Sequence, residues 1–199
     1  MKTIDFYFDF MSPFSYLANV KLPDLAEKSN ARLVYYPIDI PSAKLAAGNY
    51  GPSNREVKPK IAVMLPDIKR WCALYNVPFK FPKDLDCTIW NTASLFAKEH
   101  GDIAAFVNEG FHRIWGCGID ATDQSELRKS ADKIGLNSNE LLDYVNSTKG
   151  SVDFKKACVN AFEKGIFGAP IMVVDDQYFW GNDRLDFLEG YLNGDIPPV

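Results

Sequence analysis

The sequence predicts an α/β fold interrupted by a helical insertion, on three observations: strict alternation of apolar residues near the start, helical spacing through the middle, and a short apolar run followed by a hairpin pattern near the end. Ile4, Phe6, Phe8 and Phe10 take every second place, so Ile4 to Phe10 is read as a strand. Asp5, Tyr7 and Asp9 fall on its other face. Either that face opens to water or Asp9 has hydrogen-bond partners near a site, and the pattern leaves both open. At Met11-Ser12-Pro13 the period changes. Ser12 suits a helix N-cap and Pro13 the first helical position, and Tyr16, Leu17 and Val20 begin a stripe that Pro23 should kink before Leu25 and Ala26 resume it. Leu33 to Ile40 reads as a second strand, which completes a βαβ opening.

From about Pro41 to Lys149 the pattern is helical, after a polar, turn-rich loop running from Gly48 to Arg55. Ile61, Met64, Leu65, Ile68, Trp71, Cys72 and Tyr75 recur at spacings of three and four around Pro66, which predicts one bent helix or a pair. Further helices are expected at about 90–99, 102–115, 123–134 and 138–147, the last capped by Asn137 with Glu140 three residues on. Val152 to Lys164 is another, ended by Gly165. Ile171 to Val174 then reads as a buried strand, Asp175-Asp176-Gln177 as a tight turn, Tyr178 to Trp180 as its hairpin partner, and Gly181-Asn182-Asp183-Arg184 as the opening of a final helix through Tyr191.

A chain of 199 residues suits one compact unit, and its 47% apolar and 24% charged residues fit a packed globular protein. The net charge of −4 and the lack of a Lys/Arg run argue against nucleic acid as a partner. No apolar run is long enough to span a bilayer and the N-terminus has no signal-peptide pattern, so no membrane is expected and the location is read as cytoplasmic. Cys72, Cys87, Cys117 and Cys158 contain no C-x-x-C pair, which points to free, mostly buried thiols. His100 and His112 have no second ligand at metal spacing, so no metal is expected.

The motifs F-Y-F-D-F-M-S-P-F-S-Y-L-A at 6–18, G-N-Y-G-P-S-N-R at 48–55, F-G-A-P at 167–170 and W-G-N-D-R at 180–184 stand in this element order. Together they resemble thioredoxin-like proteins of the disulfide-oxidoreductase subgroup, and within it the 2-hydroxychromene-2-carboxylate isomerases, whose kin are the kappa-class glutathione transferases. The resemblance implies a thioredoxin-like fold with a helical insertion: residues 1–40 and 151–199 form the thioredoxin-like domain and 41–150 the insertion domain. It implies glutathione as cofactor, a small aromatic 2-oxo acid as substrate, a homodimer, and interconversion of 2-hydroxychromene-2-carboxylate and trans-o-hydroxybenzylidenepyruvate in naphthalene catabolism. By the same resemblance Ser12 faces the glutathione sulfur and the Pro170 bond is cis, so that Ala169 offers its backbone to the cysteinyl part. Trp180, Gly181, Asn182 and Asp183 belong to the turn that holds the γ-glutamyl end, and Asn49, Asn54, Lys58, Trp90 and Asn91 line the substrate side.

The residues suit that chemistry. A thiol of pKa about 8.5 is only about 3% thiolate at neutral pH. The N-terminus of the helix at Ser12 can supply up to about 2 kcal/mol to an anion, enough to bring the thiolate to around half. Ser12 has no adjacent base in sequence, so it is read as a hydrogen-bond donor and not as a nucleophile. Arg55, Lys58 or Lys60 would hold a substrate carboxylate, and the sequence does not choose among them. The alternatives are a kappa-class glutathione transferase, a non-catalytic thioredoxin-like binding module, and a dithiol oxidoreductase, which the absence of cysteine at positions 12 to 15 disfavours. Trp90 and Trp180 also have a plain reading as core residues, and Asn182-Asp183 as a helix cap.

Overall fold

The computed structural model describes residues 1–199. The chain runs β1 (Thr3–Phe8), α1 (Pro13–Lys28), β2 (Arg32–Pro37), α2 (Ile40–Ala46), α3 (Lys58–Tyr75), α4 (Thr88–His100), α5 (Ile103–Phe111), α6 (Gln124–Lys133), α7 (Ser138–Val145), α8 (Thr148–Glu163), β3 (Ile171–Val174), β4 (Gln177–Trp180) and α9 (Leu185–Asn193). The sheet order is β2-β1-β3-β4. β1 and β2 run parallel around the α1 crossover, with Phe6 opposite Tyr35, while β3 lies antiparallel to β1 and to β4. Asp175 and Asp176 both take positive φ in the β3–β4 turn, the twist that a two-residue hairpin favours. This is the thioredoxin-like arrangement the sequence predicts, with α2 to α7 inserted between β2 and α8.

Both faces of β1 are covered. Ile4, Phe6 and Phe8 are buried on one side; on the other, Tyr7 stacks on Tyr36 at 4.9 Å and packs with Ile38, Ala161 and Ile166. The alternating pattern therefore marks a two-sided buried strand, and Asp9 does not face water. β1 also ends at Phe8, two residues sooner than the alternation implies, because Asp9 and Phe10 turn away from the ladder into side-chain hydrogen bonds. β2 ends at Pro37, and Asp39 caps α2 by accepting from Ser42 N–H at 2.8 Å, so the end of the expected second strand is helical. α3 is one continuous helix through Pro66. The helix expected at 102–115 stops at Phe111 and continues as a π-helical turn, His112–Gly116. The other helices differ from expectation only at their ends, where boundaries are weakly specified.

Phe10 joins the insertion to the sheet. Its ring lies 5.3 Å from Phe8, 6.0 Å from Trp90, 6.2 Å from Phe106 and 4.7 Å from Phe111, all fully buried. Burying each such ring contributes roughly 1.5–3 kcal/mol. Trp115 on the π-helical turn donates Nε1–H to the Phe10 carbonyl at 2.8 Å, so the same residue is held through its backbone.

Gly110 of α5 admits Phe10 into this cluster, since a Cβ there would stand 2.6 Å from Phe10 Cε1 and 3.2 Å from Trp90 Cε3. Gly110→Ala gains about 1 kcal/mol of helix propensity and loses up to about 3 kcal/mol to overpacking between rings that have no free space. Thermal unfolding is expected to show a midpoint lower by about 4–8 °C. An unchanged or raised midpoint would mean that the rings reorient.

Candidate functional site

The turn between β1 and α1 is held through the N–H groups of Phe10, Met11 and Ser12 and the carbonyl of Phe10. Phe10 N–H donates to Asn91 Oδ1 (3.2 Å), Phe10 C=O accepts from Trp115, Met11 N–H donates to Asp9 Oδ1 (3.0 Å), and Ser12 N–H donates to the Asp9 carbonyl (3.0 Å). Ser12 is thereby fixed as the N-cap of α1, with its Oγ accepting from Ser15 N–H at 3.1 Å and only 5% of the residue exposed. Pro13 carries no N–H, and Tyr16 N–H bonds the Ser12 carbonyl. Phe14 N–H is left as the donor of the first turn with no acceptor in the chain.

The 169–170 segment meets Ser12 and brings the 181–184 turn with it. The Ala169–Pro170 bond is cis, as expected, and the Ser12 hydroxyl points at the Ala169 carbonyl across a long 3.4 Å contact. Ala169 N–H has no acceptor. Pro170 C=O accepts from Gly181 N–H at 3.0 Å, which brings the 181–184 turn alongside. Gly181 has φ +109 and a Cβ there would collide with Asp183 Oδ1, so the turn requires glycine. Within it the N–H groups of Asn182 and Asp183 are free, and the buried Asn182 Nδ2 has no partner; the Tyr75 hydroxyl approaches it without forming a hydrogen bond of normal geometry. A buried amide left unpaired costs about 1–3 kcal/mol, the mark of a place that a ligand completes.

Two cavities flank Ser12. The larger, of about 700 Å³, is lined by Phe14, Asn54, Trp71, Ala169, Trp180 and Asn182, together with the charged Asp67, Arg70, Asp183 and Arg184. The smaller, of about 440 Å³, is lined by Met11, Phe81, Cys87 and Asn91, with Arg55 and Lys83 facing four carboxyl groups, Asp9, Asp39, Asp84 and Asp86. Met11 and Phe14 border different cavities, and so do Asn54 and Arg55, so Ser12 and the 54–56 turn both stand at the boundary between them.

Of the residues singled out in the sequence, Ala169, Pro170, Trp180, Gly181, Asn182 and Asp183 line the larger cavity, and Ser12, which lines neither, stands behind its wall in contact with Ala169. Trp180 is 60% exposed there, its ring 4.9 Å from that of Phe167. Asn54 also faces this cavity and accepts from Lys60 Nζ at 3.0 Å, while Asn91 and Arg55 line the smaller one. Asn49 and Lys58 lie exposed outside both cavities. Trp90 is a correction: it is fully buried, donates Nε1–H to the Ala121 carbonyl at 3.0 Å and packs on Phe10, so it supports the site from within the core and meets no substrate. The sequence reading missed Arg70, Trp71 and Leu74, which α3 places on the groove, and Lys83, Asp84 and Asp86, which sit in an aperiodic stretch without a recognisable motif.

Asp9 is the site's perturbed acid. It is 1% exposed, and burial, opposed by its hydrogen bonds and reinforced by Asp39, pushes its carboxyl up to about 6. The four cysteines are free; burial pushes the Cys72 and Cys87 thiols up and Cys158 up to about 12, while Cys117 is half-buried beside His112.

With this geometry in view, the model of the DSBA-like thioredoxin domain family matches residues 3–193. The chain is 59% identical over 191 residues to a 2-hydroxychromene-2-carboxylate isomerase of Sphingobium xenophagum, covering 96% of this chain and 98% of that one. A solved structure of a 2-hydroxychromene-2-carboxylate isomerase superposes with TM-score 0.90 at 35% identity over 98% of this chain and 100% of that one. Human glutathione S-transferase kappa 1 is 27% identical over 218 residues, covering 100% of this chain and 96% of that protein.

The raised Asp9 carboxyl sets a sign for stability against pH. The folded state holds this proton more tightly than an unfolded chain does, so the contribution is fully present below about pH 4 and is lost as pH rises through about 6. The loss amounts to about 3 kcal/mol. Denaturant unfolding of the wild type and of Asp9→Asn should give a stability difference that shifts in favour of Asp9→Asn between those pH values and is level above them; a difference independent of pH would place the Asp9 carboxyl in its ordinary range.

Proposed function

We propose how this chain works from the premise that it belongs to the 2-hydroxychromene-2-carboxylate isomerases, within the DSBA-like thioredoxin domain family, and is an isomerase that interconverts 2-hydroxychromene-2-carboxylate and trans-o-hydroxybenzylidenepyruvate. The reaction needs rotation about a bond that is double in the ring-opened form. The proposal is that glutathione is the cofactor and that the larger cavity holds it. The observation that carries this is the unpaired Asn182 amide beside the free N–H groups of Asn182, Asp183 and Ala169, in a groove whose acids and bases balance. Free N–H groups and Arg70 or Arg184 suit the carboxylates of a small peptide, and Asp183 or Asp67 suits its ammonium group. The volume is in the range of a site for such a ligand. The kappa-class relative, a glutathione transferase by name, supports the same choice.

Bound there, glutathione supplies a thiolate, a nucleophile that adds to a conjugated carbon and leaves again, so that a double bond can become single for the time it takes to rotate. Ser12 serves as donor. Its Oγ already accepts from Ser15 N–H, which leaves the hydroxyl hydrogen free, and the long contact to Ala169 O is readily exchanged for a sulfur anion. Phe14 N–H and the positive end of α1 favour the same anion. Ser12 lacks the base that a nucleophilic serine needs, because neither histidine is at the site and the Asp9 carboxylate is engaged by three other donors.

The smaller cavity is assigned to the aromatic 2-oxo acid. Arg55 lines it, whereas Lys60 is bound to Asn54 and Lys58 stands outside, so Arg55 is the partner proposed for the substrate carboxylate, with Asn91 in the wall beside it. Asn49 and Lys58, on the segments flanking the 54–56 turn, are proposed to meet the substrate only at the mouth. A role in aromatic-hydrocarbon catabolism such as naphthalene degradation, a cytoplasmic location and a homodimer belong to the same proposal. No helix is long and apolar enough to cross a membrane, and α3 leaves Val63 exposed outside both cavities.

The absorbance of 2-hydroxychromene-2-carboxylate should shift rapidly with this protein only when glutathione is added, with the glutathione recovered unchanged. Ser12→Ala should lower kcat by about 10–100-fold, the worth of a hydrogen bond to a charged group. Activity without glutathione, or undiminished in Ser12→Ala, would refute the scheme; consumption of glutathione would favour the transferase chemistry of the kappa relative. Arg55→Gln should raise the substrate KM by about tenfold or more through loss of a charged pair, and Lys60→Gln should leave it within about twofold. Equal effects of the two would remove Arg55 from that role.

A further inference from the structure

Next to Ser12 lies a buried carboxylate that the scheme above does not use. Asp9 accepts from three donors on three segments: Met11 N–H of the turn (3.0 Å), Asn91 Nδ2–H on α4 (2.7 Å) and Ile40 N–H at the start of α2 (2.9 Å). An ionised carboxylate, which only accepts, matches these three donors, two on Oδ1 and one on Oδ2. Its partner Asn91 takes Phe10 N–H on Oδ1 and also turns Nδ2 toward the Ile38 carbonyl at 3.3 Å. Met11 N–H is thus received by the Asp9 carboxylate and Phe10 N–H by the amide that it holds, while Ser12 N–H bonds the Asp9 backbone carbonyl.

The charge has little support from its surroundings. Asp39 approaches from the N-terminus of α2 and adds repulsion, and Cys87 ahead of α4 and Cys158 on α8 face it as buried thiols. Across the smaller cavity stand Arg55 and Lys83, offset by Asp84 and Asp86. A neutral side chain in this position would remove a desolvation penalty.

We propose that Asp9 is a positioning residue for the isomerase reaction: its ionised carboxylate, working with Asn91, holds the Phe10–Ser12 turn so that the Ser12 hydroxyl and Phe14 N–H are aimed at the thiolate of glutathione. This rests on the assignment of glutathione to the larger cavity. The two ways in which Asp9 can act on a neighbouring thiolate have opposite signs. Its charge alone opposes a second anion, so removing it would ease ionisation of the thiol. Its hold on the turn supports the donors, so removing it makes ionisation harder.

The test uses the full chain. Titration calorimetry with S-methylglutathione first establishes occupancy of the groove, and the ultraviolet absorbance of the thiolate then gives the ionisation of bound glutathione as pH is varied. Asp9→Asn is expected to bind S-methylglutathione within about twofold of the wild type, to raise the pH midpoint of the bound thiol by about one unit, and to lower kcat by about tenfold. Asn91→Ala should raise the thiol midpoint likewise, with little further rise in the double variant, because both act on one pin. A midpoint that falls or stays put in Asp9→Asn overturns the proposal. Should the variants fail to fold, the wild type alone decides by nuclear magnetic resonance: the Met11 and Ser12 amide signals must titrate together with the Asp9 carboxyl near pH 6, and a carboxyl that titrates without them overturns it as well. Failure of the wild type to bind glutathione would instead refute the cofactor assignment, leaving the resonance test of the turn intact.

Discussion

The structure depends on one turn, Asp9 to Ser12, in which the chain leaves the central strand and enters the first helix with the N–H groups of Phe10, Met11 and Ser12 all paired. Inside a packed interior backbone N–H and C=O groups need partners, and here two come from far along the chain, Asn91 on α4 and Trp115 on the π-helical turn, while the Asp9 side chain supplies a third from within the turn. The same turn carries the Phe10 ring that seats the insertion. Docking of the insertion and placement of Ser12 are therefore a single event, and a change in one is felt in the other. The π-helical turn at His112–Gly116 fits this picture, since it ends α5 while setting Trp115 against the Phe10 carbonyl.

What the sequence made legible was local. Ser12 and Pro13 announced a helix start because N-cap and N1 preferences act over a few residues, and the hairpin and its glycine-bearing neighbour turn were readable for the same reason. The motifs around Ser12, Pro170 and Gly181 do converge on one groove. What failed was long-range. Alternation alone could not tell that β1 stops at Phe8, since the bonds that end it come from residue 91. Nor could it tell that Trp90 turns into the core while the next residue, Asn91, reaches the site, because adjacent positions on a helix face about 100° apart and the docking direction of α4 is a tertiary fact. The charged rim from Lys83 to Asp86 obeys no period and left no signal.

On the proposed assignment the two cavities divide the chemistry by charge. The groove along Trp180 and Asn182 pairs acids with bases and ends in unshared N–H groups, which suits a zwitterionic peptide; the smaller cavity collects four carboxyl groups around Arg55 and Lys83. An anionic substrate in the second cavity depends on those two cations, and repulsion from the carboxylates disfavours prolonged residence. That is a reasonable balance for a catalyst of a reversible isomerisation, where binding substrate and product equally tightly adds nothing to turnover.

The most direct test of this account is a crystal structure of the protein with glutathione. The account predicts the sulfur within hydrogen-bonding distance of Ser12 Oγ and Phe14 N–H, the cysteinyl backbone against Ala169, and the γ-glutamyl end on Asn182 and Asp183, with the Asn182 amide now paired. Glutathione seated instead among Asp84 and Asp86, or lying in the groove with its sulfur turned away from Ser12, would contradict it.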